Sequence, residues 1–150
     1  MTMPDMPENM REEMAALGRA LGPGVVFPPP CFVTMSGGFT HYESRAALTV
    51  TFPVDGTTLN PVGVMQGGFV AAAIDNVMGP LSYLAMRAPA ATLDLNTQFV
   101  RGALSGDILT VTARVVSRTP RTLVMTAEAR NQRGKLIAMA TANAAAIPAT

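Results

Sequence analysis

The stretch MQGGFVAAAIDNVMG, residues 65–79, decides the fold, because two adjacent glycines open an almost wholly apolar run that contains one carboxylate, Asp75. The apolar residues continue to about Met86 and surround the element instead of forming a stripe, which is typical of a helix enclosed by other structure. The sequence therefore predicts a buried helix from Gly67 to about Met86. Pro80 is expected to kink it, because proline interrupts helical hydrogen bonding.

The segments on both sides of this helix alternate between apolar and polar residues, as half-buried strands do. One precedes the helix and four follow it, at residues 44–53, 92–101, 108–117, 122–130 and 135–147. The short turns GALSGD, RTPR and NQRGK separate the last four strands, and they predict an antiparallel meander. Residues 5–21 have the spacing of an amphipathic N-terminal helix, and the prolines in residues 27–30 indicate an extended connector.

These elements predict one α+β domain over residues 1–150, because the chain shows neither an internal repeat nor a linker. With 49% hydrophobic and only 14% charged residues, the chain has ample material for one core. A strongly curved antiparallel sheet wrapped around one long apolar helix would satisfy the whole pattern.

Composition excludes several classes of function. The 11 basic residues nearly balance the 10 acidic ones, so no general attraction to nucleic acid or to a membrane surface is expected. Cys31 is the only cysteine and His41 the only histidine, which excludes an internal disulfide and leaves too few ligands for a catalytic zinc. No nucleotide-binding fingerprint occurs, so we expect neither a metal nor a cofactor. The N-terminus lacks the pattern of a secretory signal, and no membrane span is expected, which favours a cytoplasmic location.

The carboxylate of Asp75 is the first candidate for chemistry. An acid on a helix that is apolar all round would lose much of its hydration, which suits a general base or a nucleophile. The alternative, equally supported by the sequence, is a structural acid paired with a cation or bonded to backbone. Gly67 and Gly68 lie where the free N–H groups at a helix start could stabilise an oxyanion, although a simple tight turn would also explain them. Because about 12 Å of helix separates Gly67 from Asp75, the two groups indicate a site shared between subunits.

Other nucleophiles fit poorly. Ser36 and His41 lack the strand-turn-helix context of a serine hydrolase, and the sequence has no G-x-S-x-G motif. Cys31 is better explained as a structural residue than as the partner of a single histidine.

The stretch NPVGVMQGGFVAAAIDNVMG, residues 60–79, resembles the signature of the PaaI-like branch of the hotdog-fold acyl-CoA thioesterases. In that signature, N-x-x-G-x-x-H-G-G is followed by an acid seven residues after the second glycine. The similarity extends from about residue 44 to 147 and implies a hotdog fold, a curved antiparallel sheet around a long central helix. It also implies an acyl-CoA substrate and a homodimer or homotetramer, a dimer of dimers, with active sites between subunits.

The resemblance assigns roles to individual residues. It implies that Asp75 activates water or attacks the thioester, and that the Gly67 N–H polarises the carbonyl with Gly68 beside it. It further implies that Asn60 helps to place the water and the carbonyl, and that Thr92 assists from the strand after the helix. Gln66 stands where the family has histidine; glutamine can exchange hydrogen bonds but cannot shuttle a proton.

The remaining candidates concern substrate binding. Met65, Phe69 and Met78 could shape an apolar acyl channel together with Leu81 and Tyr83, although ordinary core packing explains most of them better. A basic cluster for the phosphates of CoA could form from three arginines at predicted strand ends, or these could be solvated loop charges. The three are Arg118, Arg121 and Arg133.

Hydrolysis of an acyl- or aryl-CoA thioester is the function that the sequence favours. A non-catalytic acyl-CoA binding or sensing module on the same fold is the alternative, because Gln66 would permit it. A hotdog hydratase or dehydratase is a third hypothesis, which the sequence disfavours because that chemistry usually pairs an acid with a histidine and His41 lies outside the signature.

Overall fold

The computed structural model describes residues 5–148, which form three helices and six strands. The helices are α1 (Glu8–Leu21), α2 (Pro30–Thr34) and α3 (Gly67–Met86), with a turn of 3-10 helix at Gly56–Thr58. The strands are β1 (Gly38–Glu43), β2 (Ala47–Pro53), β3 (Ala90–Phe99), β4 (Ile108–Arg118), β5 (Thr122–Arg130) and β6 (Leu136–Ala146).

The six strands form one antiparallel sheet in the order β1-β2-β4-β5-β6-β3, and α3 packs against β2, β3, β4, β5 and β6. A helix that contacts so many strands lies along the middle of one face of the sheet, and most of its side chains after the first turn are buried. The α+β hotdog architecture is therefore confirmed. Helix α3 occupies the predicted residues and continues through Pro80 without a break.

The position of β3 differs from the predicted meander. Strands β4, β5 and β6 are sequential neighbours, but β3 pairs with β6 at the far edge of the sheet, and β4 pairs with β2. Residues 100–107 therefore form a crossing loop instead of a hairpin turn. The Met65 N–H donates to the Ala103 carbonyl at 2.8 Å, and this bond ties the loop to the start of α3.

The N-terminal part of the chain also departs from the predicted boundaries. Helix α1 begins at Glu8 instead of residue 5, with Pro7 at the position before its first turn. The extended connector ends at Pro29, because Pro30 begins α2; proline is favoured in a first helical turn, where its missing N–H costs nothing. Strand β2 begins at Ala47, three residues later than predicted, and strand β1 precedes it.

Aromatic stacking holds the segment between α1 and β1 against the core. The Phe32 ring stacks on Phe39 with centroids 4.5 Å apart, and Phe27 stacks on the same ring at 5.8 Å. A Cβ at Gly37 would lie 2.6 Å from the Phe32 ring, so this contact requires glycine. The packing fixes residues 25–31 alongside α3.

Helix α3 is long and apolar enough to cross a membrane by length and composition, with a mean hydropathy of 1.3 over its most apolar window. The sheet explains this composition, because 61% of that window is buried inside the fold. The apolar character of α3 is thus that of a core helix.

Candidate active site

Asp75 lies on the side of α3 that the sheet does not cover, and its side chain is exposed in the single chain. The expectation that the chain buries this acid is therefore wrong; the next residue, Asn76, is buried at 8% exposure. The reason is geometric, because one face of even an apolar helix can lie outside the sheet that wraps it. Within residues 5–148 no cation pairs with Asp75, so a structural ion pair does not explain it.

A single side chain contacts this carboxylate by hydrogen bonding among the described residues. The Thr92 hydroxyl donates to Oδ1 of Asp75 at 3.3 Å. Thr92 is near the start of β3, just before a break in the regular pairing with β6 between Thr92 and Asp94. Two residues that are distant in the sequence thus meet, and the hydroxyl orients the carboxylate.

Asp75 borders a cavity of about 240 Å³ between α3 and the N-terminal segment. Its polar lining includes Asp75, Asn76 and Cys31, and the Cys31 thiol donates to Oδ1 of Asn76 at 3.1 Å. Phe27 and Tyr83 are among the apolar side chains that line the remainder. A carboxylate at the edge of an apolar cavity is an arrangement that suits the binding of an apolar group with a reactive polar end.

Gln66 caps the N-terminus of α3. Its side-chain Oε1 accepts a hydrogen bond from the Phe69 N–H at 3.2 Å and caps the helix. A Cβ at Gly68 would lie 2.7 Å from this oxygen, so Gly68 leaves room for the cap. The N–H groups of Gly67 and Gly68 donate to no acceptor within residues 5–148, and they are available to bind an oxyanion.

Gly67 borders a second cavity, of about 300 Å³, which shares no residue with the cavity beside Asp75. Met65 and Phe99 line it, and a Cβ at Gly67 would approach the Phe99 ring to 3.1 Å. Because about 12 Å of helix lies between Gly67 and Asp75, one chain does not bring these two groups to the same carbonyl.

Asn60 organises the loop that leads to α3. Its Oδ1 accepts hydrogen bonds from the N–H groups of Val62 at 3.0 Å and Val64 at 3.2 Å. Its backbone N–H also donates to the Val64 carbonyl at 2.7 Å. The amide oxygen is therefore already engaged in holding the loop, and only the side-chain N–H groups are available to a ligand.

The predicted channel residues separate into two groups. Met78 and Leu81 are fully buried in the core and line neither cavity, so they pack the fold and do not form an acyl channel. Met65 borders the Gly67 cavity, Tyr83 borders the Asp75 cavity, and Phe69 is 39% exposed on the first turn of α3. The division follows from which side of α3 faces the sheet.

The three arginines do not form one cluster within the chain. Arg118 and Arg121 lie at the turn between β4 and β5, where the Arg118 guanidinium donates to the Ala85 carbonyl at 3.2 Å near the end of α3. Arg133 lies in the turn at the opposite end of β5 and forms an ion pair with Asp107 at 3.5 Å. Strand β5 separates the two turns.

Sequence reasoning missed the contribution of the N-terminal segment. Val25, Val26, Phe27 and Cys31 line the cavity beside Asp75, although the prolines around them indicated only a connector. The apolar residues between the prolines were the available signal. In the described part of the chain no group of His, Cys, Asp and Glu side chains could hold a metal ion.

Comparisons with known proteins find a matching family model and similar solved structures. A model of the thioesterase superfamily matches residues 62–138, and no curated protein matches the chain. A phenylacetic acid degradation-related protein from Ralstonia eutropha is 31% identical with a TM-score of 0.74, and the match covers 89% of this chain and 98% of that one.

Two further solved structures share the fold. The PaaI protein from the phenylacetic acid degradation operon of E. coli is 20% identical with a TM-score of 0.80, covering 94% of this chain and 95% of that one. A hypothetical thioesterase protein with coenzyme A from Streptococcus pneumoniae is 22% identical with a TM-score of 0.70, covering 74% and 85%. These similarities confirm the predicted resemblance to PaaI-like hotdog proteins.

Proposed function

Since this chain belongs to the thioesterase superfamily, a family of thioester hydrolases, we propose that it hydrolyses an acyl- or aryl-CoA to the free acid and CoA. The observation that carries the proposal is the position of Asp75 at the edge of an apolar cavity. Its carboxylate accepts a hydrogen bond from the Thr92 hydroxyl and has no ion-pair partner among residues 5–148. The similar protein from Streptococcus pneumoniae was solved with coenzyme A, which supports a CoA thioester as the substrate.

The reaction needs an attacking oxygen and a stabilised oxyanion. Asp75 takes a proton from a water molecule whose oxygen attacks the thioester carbonyl carbon, or its own oxygen attacks that carbon and water cleaves the resulting anhydride. The C–S bond breaks, and the CoA thiolate leaves and takes up a proton. The free N–H of Gly67, with that of Gly68 beside it, stabilises the negative charge on the carbonyl oxygen.

We propose that the two halves of this site come from different subunits of a homodimer or homotetramer. The support is the distance along α3 between Gly67 and Asp75 and the two separate cavities. Strand β3 lies at the edge of the sheet and exposes Leu93 at 64% and Phe99 at 58%. Pairing of β3 with its copy would continue the sheet and cover these side chains.

Three other residues have proposed roles. Asn60, through its side-chain N–H groups, helps to place the water, and Arg121 contacts a phosphate of CoA. Among residues 5–148 the Arg121 guanidinium has no hydrogen-bond or ion-pair partner. The Arg118 guanidinium already donates to the Ala85 carbonyl, so the support for a phosphate contact is weaker for Arg118. We further propose that the protein is cytoplasmic and that neither nucleic acid nor a membrane is its partner.

The test is the release of CoA from a panel of acyl-CoAs by wild type and Asp75→Asn. The amide keeps the shape of the side chain but cannot accept a proton, so we expect hydrolysis by wild type and a loss of at least about 100-fold in the variant. Asp5→Asn is the matched control, because Asp5 is fully exposed on the N-terminal segment and its change should leave the rate unaltered.

The same panel separates the competing functions. Binding of acyl-CoA to both proteins with no CoA release from either would contradict hydrolysis and support a binding module. Addition of water to an enoyl-CoA without CoA release would support a hydratase.

A further inference from the structure

The cavity beside Asp75 exists because residues 25–31 cross over α3. Val25, Val26, Phe27 and Pro29 supply one wall, and α3 supplies the other. The stacking of Phe27 on Phe39 and of Phe32 on the same ring fixes this segment in place. The wall is therefore a fixed part of the fold and not a loose end of the chain.

The cavity has two chemically different ends. Asp75, Asn76 and the Cys31 thiol provide the polar end. The Cys31 thiol donates to Oδ1 of Asn76, and the side-chain N–H of Asn76 donates to Sδ of Met35, so both groups have partners within the chain. Asp75 is the carboxylate left to act on a ligand. Apolar side chains, including Phe27 and Tyr83, line the rest of the cavity. A ligand that fits this lining has an apolar body and places a reactive polar group next to Asp75.

We propose that this cavity is the acyl-binding subsite and that residues 25–31 restrict it to compact apolar acyl groups. This inference rests on the proposed thioester hydrolysis, since it is the thioester carbonyl that would lie beside Asp75.

The volume that one chain contributes indicates which acyl groups we expect to be preferred. A dry cavity of about 150 Å³ is sufficient for benzene, and this cavity measures about 240 Å³. In proportion, it accommodates about ten carbons of a ring or chain. We therefore expect hexanoyl and octanoyl groups to be preferred to dodecanoyl and hexadecanoyl groups.

Gly79 offers a way to fill the cavity from α3. It lines the cavity, and a Cβ at this position meets no heavy atom within 4 Å. Because Pro80 follows it in the helix, any Cβ at position 79 disfavours the helical backbone. Gly79→Ala carries this cost without filling the cavity, so Gly79→Leu, whose side chain would lie where the acyl group lies, is compared with Gly79→Ala.

The experiment compares kcat/KM for acetyl-, hexanoyl- and dodecanoyl-CoA. In Gly79→Leu we expect kcat/KM for hexanoyl-CoA, divided by kcat/KM for acetyl-CoA, to fall by about 10- to 200-fold relative to both wild type and Gly79→Ala, because the pocket loses room for several methylenes. Tyr83→Ala should instead enlarge the cavity and raise the ratio of dodecanoyl-CoA to hexanoyl-CoA. Gly18→Leu is the matched control, since Gly18 is also helical with open space and lies outside the cavity.

These ratios distinguish the inference from the proposed function. If wild type hydrolyses acyl-CoAs but Gly79→Leu has the same ratio of kcat/KM for hexanoyl-CoA to acetyl-CoA as wild type or Gly79→Ala, the acyl group binds elsewhere and the proposed subsite is wrong. If wild type hydrolyses none of the substrates, the proposed function itself is wrong.

Alkylation of Cys31 gives a second readout that needs no turnover. Cys31 is the only cysteine of the chain, is exposed and lines the cavity, so N-ethylmaleimide labels one defined site. With Asp75→Asn, saturating hexanoyl-CoA should slow the labelling by at least about tenfold, and desulfo-CoA, which lacks the acyl group and has no thiol to consume the reagent, should slow it little. Equal labelling rates with hexanoyl-CoA, with desulfo-CoA and without ligand would contradict the subsite even in an inactive protein.

Discussion

At the scale of single residues, Gln66 and Gly68 act as one unit. The amide oxygen of Gln66 caps α3 through the Phe69 N–H, and Gly68 lacks the Cβ that would displace that oxygen. Gln66 thus has a helix-capping role that needs no proton transfer.

The shared role of Gln66 and Gly68 is measurable in urea denaturation. Gln66→Ala should lower the free energy of unfolding by about 0.5–2 kcal/mol through loss of the cap. Gly68→Ala should be less favourable for stability in the wild type than in the Gln66→Ala background, because its Cβ displaces the same oxygen while the change in helix propensity is common to both backgrounds. The double variant should therefore be destabilised by less than the sum of the two single changes. Full additivity would show that the two positions act independently.

Thr92 is predicted to matter through its hydroxyl group. Thr92→Val removes the hydrogen bond to Asp75 and keeps the shape of the side chain, so kcat should fall by about 10- to 100-fold, the equivalent of one hydrogen bond to a charged group. Thr92→Ser keeps the hydroxyl and should retain most of the rate. Equal rates in the valine and serine variants would remove Thr92 from the mechanism.

Arg121 is predicted to bind a part of the substrate that does not react. Arg121→Ala should raise KM for an acyl-CoA by about tenfold, because a charge-assisted hydrogen bond to phosphate is lost. The KM for the matching acyl-N-acetylcysteamine, which has no phosphate, should stay the same. Arg19→Ala, on the exposed face of α1, serves as the control. A KM that rises equally for both substrates would contradict a phosphate contact.

The site residues differ in how far the sequence could predict them. The spacing from Asn60 to Asp75 singled out Gly67 and Asp75 as candidates, and in the structure each of them borders a cavity. The exposure of Asp75 was not predictable, since it depends on which side of α3 the distant strands cover. The complete burial of Met78 was not predictable for the same reason.

At the scale of elements, the periodic patterns predicted α3, β4 and β5 to within a residue or two. Each of these elements has a strong apolar period of its own. The pairing of β3 with β6 was missed, because short-range turn signals do not show that residues 100–107 cross the sheet. Strand β1 and helix α2 were missed because their short segments carry no clear period.

Asp107 holds the crossing loop and the turn between β5 and β6 together. Its carboxylate accepts hydrogen bonds from the Leu104 N–H and the Gln132 side chain, both at 2.9 Å, and Arg133 lies nearby. These contacts hold the pKa of Asp107 below its usual value, and the hydrogen bond from the Leu104 backbone has the largest effect. The charged carboxylate therefore stabilises the fold at neutral pH.

The pH dependence of unfolding checks this role of Asp107. A carboxyl whose pKa is lower in the folded than in the unfolded chain stabilises the fold at pH values above its unfolded pKa of about 3.9. This stabilisation is lost as the pH falls towards the folded pKa. Asp107→Ala should therefore cost about 1.5–3 kcal/mol at neutral pH, and the difference from wild type should shrink below about pH 4. A difference that stays constant with pH would show that the charge of Asp107 is not responsible.

At the scale of the whole molecule, the proposed sharing of the site between subunits predicts that activity depends on assembly. Leu93→Lys places a charge on the exposed edge strand, which disfavours strand pairing between copies. We expect sedimentation to show a shift towards monomer and CoA release to fall in parallel. Val116→Lys is the control, because Val116 is similarly exposed at 61% but lies on an interior strand. A fully active monomer would contradict the shared site.

The most direct test of thioester hydrolysis by Asp75 is kcat for CoA release from hexanoyl-CoA, measured for wild type and Asp75→Asn with both proteins shown to be folded. We expect turnover by wild type and a kcat lower by at least about 100-fold in the variant. Equal kcat values in the two proteins would contradict this role of Asp75.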